Sequence, residues 1–376
     1  MNILVLNWRD ITHPWAGGAE LNIHEQMKRW VEWGHKVTLF CGAYEGCKRE
    51  EEIDGIHVMR RGGRFTVYLW AFLYYCLHLR HKCDIIVDLE NGIPFFTPLY
   101  SFKPKICLMH HIHTLQFKTE FHGLLTYIGI FLESIIMPIV YRNVQFITIS
   151  GTTREELERI GVKKKRCQVV HPGLDHHRLR PGGMKSPNPT LIYLGRLMAY
   201  KRLDILIKMM PMILQRVPNA VLHIAGLGPV EKSLKKLAED IGVEKSVVFH
   251  GYVSEEHKIQ LLQQAWVFVM PSMNEGWGLS VVEANACSTP AIAFNVPGLC
   301  EAIDNPHTGL LVESEEDFLQ AVLRVLGEDD LRAQLSEAAL KHASKFSWDE
   351  TASQTLNILL SVARQVEKLG ETPIKE

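Results

Sequence analysis

Short apolar runs alternate with stretches of helical period along most of the chain. NILVLN at 2–7 is followed by a glycine-bearing turn and a helical pattern over about 18–33, then by KVTLFC at 36–41 and IHVMR at 56–60. CDIIVDLE (83–90), KICLMH (105–110) and VQFITIS (144–150) have strand length, whereas FTVYLWAFLYYCLHL (65–79) predicts a helix. These strand candidates are apolar at successive positions rather than alternating. That pattern predicts strands covered on both faces, hence a parallel sheet with helices on either side.

The rhythm breaks at LRPGGMKSPNPT, 179–190, where Pro181, Pro187 and Pro189 join two glycines. This composition predicts an interdomain linker. Strand candidates then resume at 190–196, 220–226, 246–253, 266–272, 290–296 and 308–312, and the tail from about 331 to 368 is helical. The expected fold class is α/β: two tandem Rossmann-like doubly wound domains, about 1–178 and 190–346. Ligands would bind beyond the carboxyl ends of the strands, in an interdomain cleft.

Composition narrows the function classes. With 376 residues, 47% hydrophobic and 22% charged, the chain can build full cores. A formal charge of −1 gives no general attraction for nucleic acid, and none is expected as a partner. None of the eight cysteines forms C-x-x-C, and the N-terminus lacks a basic, cleavable leader, so a cytoplasmic protein with reduced thiols is expected. GLLTYIGIFLESIIMPIV (123–140) carries Glu133 at its centre, which argues against a membrane span and for a helix that is buried or faces a membrane, the buried helix being the expectation. RRGGRFTVYLWAFLYYCLHLRHK (60–82) flanks an aromatic helix with arginines. It fits either a packed helix or a peripheral contact at the cytoplasmic membrane face.

Four places offer chemistry. In HPWAGGAE (13–20), Gly17 and Gly18 allow close backbone approach where a helix starts, a setting that suits a phosphate or a sugar hydroxyl; a plain tight turn is the alternative. LMHHIHT holds His110, His111 and His113 at a strand end. Alternation would turn His111 away from the other two, so one histidine lining a site fits better than a metal centre. GRLMAYKR (195–202) offers Arg196 and Lys201 as a fork and a point charge for a diphosphate. In MNEGWGLSVVEANA (273–286), a loop glutamate, Glu275, precedes a helix carrying Glu283, roughly 6–7 Å along its axis. The helix start favours an anion, while a carboxylate in its first turns suits hydroxyls, so one ligand with both a diphosphate and a sugar fits the pair. Neither G-x-G-x-x-G nor a P-loop sequence is present.

Taken together, these motifs resemble the retaining glycosyltransferases of the GT-B fold, family 4 or group 1, which include the phosphatidylinositol mannosyltransferases. GGAE (17–20), GHKVT (34–38), ITIS (147–150), HPGLD (171–175), GRL (195–197), GLGP (226–229) and EGWGLSVVEANACSTPAIA (275–293) occur in that family's order over nearly the full length. Glu275 and Glu283 match its E-x7-E motif. The resemblance implies a hexosyltransferase using a nucleoside-diphosphate sugar, GDP-mannose or a UDP-hexose, with no metal or other cofactor. It implies a sugar or lipid-linked acceptor on the N-terminal domain and a last helix, about 350–368, packing back on that domain. Carried over by position, Gly17 and Gly18 contact the donor phosphate, and His110, with His111 as rival, lies near the transferred sugar. Arg196 and Lys201 hold the diphosphate, and Glu275 contacts the sugar. Gly276, Gly278 and Leu279 form the loop and helix start, and Glu283 binds the ribose. Trp277 stands where the family usually has Phe or Tyr, and Arg202 where it has glycine. An epimerase or phosphorylase of the same fold, or a non-catalytic sugar-nucleotide binder, is the alternative reading.

Overall fold

The computed structural model describes residues 1–114, 117–118 and 123–370, the last four by backbone alone. The chain divides into two compact units. The first is Met1–Gly173 with the C-terminal helix Trp348–Gly370; the second is Leu174–Ser347.

Eight strands form the sheet of the first unit: β1 (Asn2–Leu6), β2 (Lys36–Cys41), β3 (Glu50–Ile53), β4 (Ile56–Arg60), β5 (Ile85–Glu90), β6 (Lys105–Met109), β7 (Gln145–Thr148) and β8 (Cys167–Val169). Their order is β3-β4-β2-β1-β5-β6-β7-β8, parallel except for β3. β3 escaped the sequence reading because it is nearly all glutamate. It is a charged edge strand joined to β4 by a two-residue Asp54-Gly55 turn with φ of 51° and 76°. Successive residues of β1 face opposite cores, as the unbroken apolar runs required. Ile3 and Val5 pack with Trp30 and Leu359, whereas Leu4 and Leu6 pack with Phe40 and Tyr75. The C-terminal helix closes the first of these cores, and Trp30 Nε1 donates to Ala352 O at 3.0 Å.

Two apolar helices on this unit are less buried than their sequences predict. Val67–Tyr74 continues as a π-helical turn, Tyr75–Leu79, and leaves Leu69, Trp70, Leu73 and Leu77 exposed. Leu124–Phe131 likewise runs into a π-helical turn, Leu132–Ile136. Glu133 there is wholly buried, while Leu125, Tyr127, Phe131 and Ile135 face outward, so the buried helix expected at 123–140 is buried on one side only. Among the described residues no helix is long and apolar enough to cross a membrane.

The second unit has six parallel strands: β9 (Thr190–Leu194), β10 (Val221–Ala225), β11 (Val247–Gly251), β12 (Val267–Met270), β13 (Ala291–Phe294) and β14 (Gly309–Val312). Their order, β11-β10-β9-β12-β13-β14, is the doubly wound arrangement whose switch point lies between β9 and β12. The proline-rich stretch expected as a linker is instead strapped to this unit. Ser186 N donates to Gln264 O at 2.8 Å, Trp266 Nε1 to Ser186 O at 2.8 Å, and Lys185 Nζ to Thr289 Oγ1 at 2.7 Å. Prolines suit such a strap as well as a linker, because neither requires a continuous ladder of N–H donors.

The loops after β9 and β10 interlock through glycine. Gly226 has φ of +141°, and a Cβ there would lie 1.9 Å from Gly195 O. Gly226→Ala should therefore cost about 2 kcal/mol or more in urea unfolding, as forced overpacking does. A stability within about 0.5 kcal/mol of the parent, the range of a neutral surface substitution, would contradict this interlock.

Candidate active site

The carboxyl ends of strands flanking a switch point are where such sheets bind ligands. In the first unit the switch lies between β1 and β5. Glu20, 1% exposed, is the hub there. It accepts from Arg9 Nε at 3.0 Å, Asn91 Nδ2 at 2.8 Å and Gly17 N at 2.8 Å. The extended Gly17 and the helix-opening Gly18 thus hold the expected place, but the Gly17 N–H is capped by Glu20.

His110 follows β6 and is buried. Its Nε2 lies 3.1 Å from Asn22 Nδ2, and Asn22 Oδ1 accepts from Gln26 Nε2 at 3.0 Å. With its carbonyl occupied, Asn22 turns its amide N–H to the ring. Nε2 then accepts and the ring proton sits on Nδ1, which has no hydrogen-bond partner among the described residues. Burial first, then His113 and Arg9, pushes the His110 pKa down to about 3, so the ring is neutral at pH 7. Asn22→Asp would set a carboxylate on Nε2 and should raise that pKa by about 1–3. An NMR titration giving an unchanged value would show that Asn22 does not control the ring.

The other two histidines diverge from His110 because β6 ends at Met109. His113 Nδ1 lies 3.0 Å from Glu133 Oε1 and 3.4 Å from Glu90 Oε2, while the His111 ring lies against the His113 ring, tilted by 38° with centroids 4.2 Å apart. Burial opposes charge on His113, but Glu90 and Glu133 outweigh it and hold its pKa up, to about 10. Burial and Glu90 raise Glu133 while His113 lowers it. We take the imidazolium as the charged centre, because both carboxylates converge on one nitrogen. The three ligand-capable atoms lie within 4.8 Å of one another, a spacing that also suits a small divalent cation. Sequence reading missed Glu90 and the role of Glu133, since both partners are far from His113 along the chain.

In the second unit the β9 and β12 loops supply the other candidates. Lys201 ends a short 3-10 turn, is 8% exposed, and its ammonium bonds the Glu275 carboxylate across the switch point. Met273 N donates to Tyr200 O at 3.0 Å and ties the same two loops. Arg196 is exposed, with its guanidinium 3.5 Å from the Tyr200 hydroxyl. Gly276 and Gly278 lead into the helix Leu279–Ala286. Gly278 has φ of +88°, and a Cβ there would meet Leu299 at 2.7 Å. The first N–H groups of this helix lack intrahelical acceptors and point out of its start. Glu283 is buried rather than solvated, and bonds Lys258 Nζ at 2.9 Å. Burial opposes charge on Lys258, yet Glu283 and Glu255 raise its pKa well above the ordinary value. Lys258 gave no signal in the sequence, where it reads as a surface helix lysine.

Two departures from the family pattern are explained locally. Trp277 is 3% exposed and packs edge-on against Phe346 at 5.3 Å, so it fills the core instead of facing a ligand. Arg202 has φ of +52°, the left-handed region where glycine is unstrained, and is held by Glu315 at 2.8 Å.

Comparison with known proteins bears on the family and the fold. The model of "Glycosyltransferase Family 4" matches residues 16–178 and that of "Glycosyl transferases group 1" matches 179–342. An uncharacterized glycosyltransferase of Methanocaldococcus jannaschii is 27% identical over 95% of this chain and 97% of its own. A D-inositol 3-phosphate glycosyltransferase of Nocardia farcinica is 32% identical over 54% of this chain, which spans about half (49%) of that relative. Among solved structures, sucrose-phosphate synthase from Thermosynechococcus elongatus has a TM-score of 0.80 at 18% identity, covering 96% of this chain and 98% of its own. Anabaena HepE in complex with UDP-glucose has 0.76 at 19%, covering 96% and 100%. The two family models together span residues 16–342, and the chain belongs to the group 1 glycosyltransferases, with the two Rossmann-like domains of the GT-B fold.

Proposed function

We propose that the protein is a retaining hexosyltransferase that moves a hexose from GDP-mannose or a UDP-hexose to a hydroxyl acceptor, a lipid-linked or other glycan. The observation that carries this reading is the Lys201–Glu275 pair at the β9/β12 switch point, beside Arg196 and the start of the Leu279–Ala286 helix. Departure of the nucleoside diphosphate builds negative charge. Arg196, Lys201 and the helix start would stabilise it without a metal at the diphosphate. Glu275, bonded to Lys201, is suited to accept sugar hydroxyls, and Glu283 those of the ribose. The named relatives support the donor class: HepE is described with UDP-glucose. Nucleoside-diphosphate sugars should raise the melting temperature and be slowly hydrolysed, GDP-mannose and UDP-glucose being tested first. A screen in which no nucleoside-diphosphate sugar shifts the melting curve would overturn the reading.

The outward apolar faces of Val67–Leu79 and Leu124–Ile136 support peripheral contact of the first unit with a membrane, consistent with a lipid-linked acceptor. The protein should float with anionic liposomes, and Trp70→Glu with Leu73→Glu should reduce the floated fraction several-fold. Equal recovery of parent and variant in the floated layer would remove this contact.

A further inference from the structure

One cluster of side chains in the second unit has no part in the proposed transfer. His223 lies in the middle of β10, and alternation turns it to the face opposite Leu222 and Ile224, which are wholly buried. A half-buried histidine thus stands where a sheet covered by helices ordinarily places an apolar residue. β10 and β11 run in register up to Ile224 and Phe249, and Ala225 then pairs with Gly251. His250 is the residue skipped, so it occupies a β-bulge, a device that re-aims a side chain. Its Nε2 comes within 2.7 Å of His223 Nδ1. The ring centroids are 5.0 Å apart and the planes differ by 18°, so the two rings meet nitrogen to nitrogen. A third ring approaches from the helix Glu255–Gln264: His257, in its first turn, has its centroid 5.4 Å from that of His250.

A contact of this kind holds one proton between two nitrogens, so at least one of the rings is neutral. Burial first, then His250 and His257, lowers the His223 pKa to about 4, and burial, then His257, lowers that of His250. Among the described residues no carboxylate bonds any of the three rings. Neutral imidazoles from separate elements, open to solvent on one side, are a donor set for a borderline transition-metal ion. A tetrahedral zinc ion with its imidazoles at about 2.0–2.1 Å sets two ligand nitrogens about 3.3 Å apart. Opening the His223–His250 contact from 2.7 Å to that spacing takes only a small rotation of the rings. His257 is exposed, and its ring nitrogens bond no protein group among the described residues, so it can swing in as the third ligand with water in the fourth place. The protons balance. The N–H now between the rings moves to the outer nitrogen of its own ring as the metal takes its place, and no net proton is released.

We propose that His223, His250 and His257 form a zinc site that clamps β10, β11 and the Glu255–Gln264 helix. The site stands apart from the diphosphate and does not depend on the transferase reading. His250 precedes Gly251, whose carbonyl accepts from Gly226 N at 2.8 Å, and Gly226 packs on Gly195 beside Arg196. A bound ion would brace that interlock and stabilise the second unit.

The test uses the untagged full chain, stripped with EDTA and desalted. Calorimetry should show saturable zinc binding, and zinc at about 100-fold over its Kd should raise the melting temperature by several degrees. His257→Ala should weaken binding about 10-fold or more, since loss of even a ligand's supporting partner costs about 10–100-fold. His223→Gln with His250→Gln should weaken it by about 100-fold or more on the same ground. Co²⁺ in place of zinc should give the visible absorption of a tetrahedral site in the parent and lose it in the double variant. In NMR spectra zinc should move the ring nitrogen signals of His223, His250 and His257 and leave those of His113 in place, which separates this site from the Glu90–His113–Glu133 group. Three results would overturn the proposal: no saturable zinc binding, zinc signals that move at His113 and not at His223 and His250, or parental affinity in the variants. If the double variant fails to fold, His257→Ala decides, because it changes an exposed side chain: parental affinity there removes the three-histidine site.

Discussion

Replacing Arg196 and Lys201 together with alanine should lower kcat by about 10⁴-fold. One preorganised donor aimed at developing charge is typically worth about 10²–10³ in rate, and this substitution removes two cations. The effect should fall on kcat more than on KM, because charge on the leaving diphosphate grows towards the transition state. Lys201→Ala also strands the Glu275 carboxylate that it bonds. Glu275→Gln on that background separates the two contributions: it relieves the stranded charge without restoring a cation. If it recovers stability, the cost of the stranded charge is separable from the loss of rate. A double variant that keeps parental transfer would remove Arg196 and Lys201 from the site.

Glu133→Gln should give the largest loss of stability, about 3–5 kcal/mol, the usual cost of removing one partner from a buried ion pair. Its carboxylate is fully buried and accepts from both the backbone and the ring of His113. The pH dependence carries the sign. The His113 pKa is raised, from 6.5 to about 10, so its contribution is complete below pH 6.5 and is lost as pH rises towards 10. Urea unfolding of the parent should therefore weaken over that window by a few kcal/mol, since a tenfold change in proton affinity is worth about 1.4 kcal/mol. The Glu133→Gln variant should show a shallower slope. A parent protein whose stability is flat or rising from pH 7 to 10 would mean that His113 is neutral in the fold.

How far the sequence carried this picture depended on the range of the signal. Strands such as β1, β5 and β9 were legible because burial on both faces demands an unbroken apolar run, a purely local property. β3 was not, since an edge strand needs no apolar face and its glutamates read as a loop. Arg196, Lys201 and Glu275 were picked out because each lies in the connection after a strand, and Glu283 because of its spacing from Glu275. Their partners were harder. Asn22 reaches His110 across 88 residues and Lys258 reaches Glu283 across 25, so nothing in either neighbourhood marks them. The His223–His250–His257 cluster draws on two strands and a helix and becomes visible only once β10 and β11 are side by side.

The C-terminal helix gives the chain an order of completion. Trp30 finds its partner Ala352 only 322 residues later, and the whole second unit lies between them in sequence. During synthesis Leu174–Ser347 can close while the first core still lacks one wall. The part made first is thus finished last. Shortening the chain at its end would injure the unit that carries the N-terminus and spare the one next to the cut.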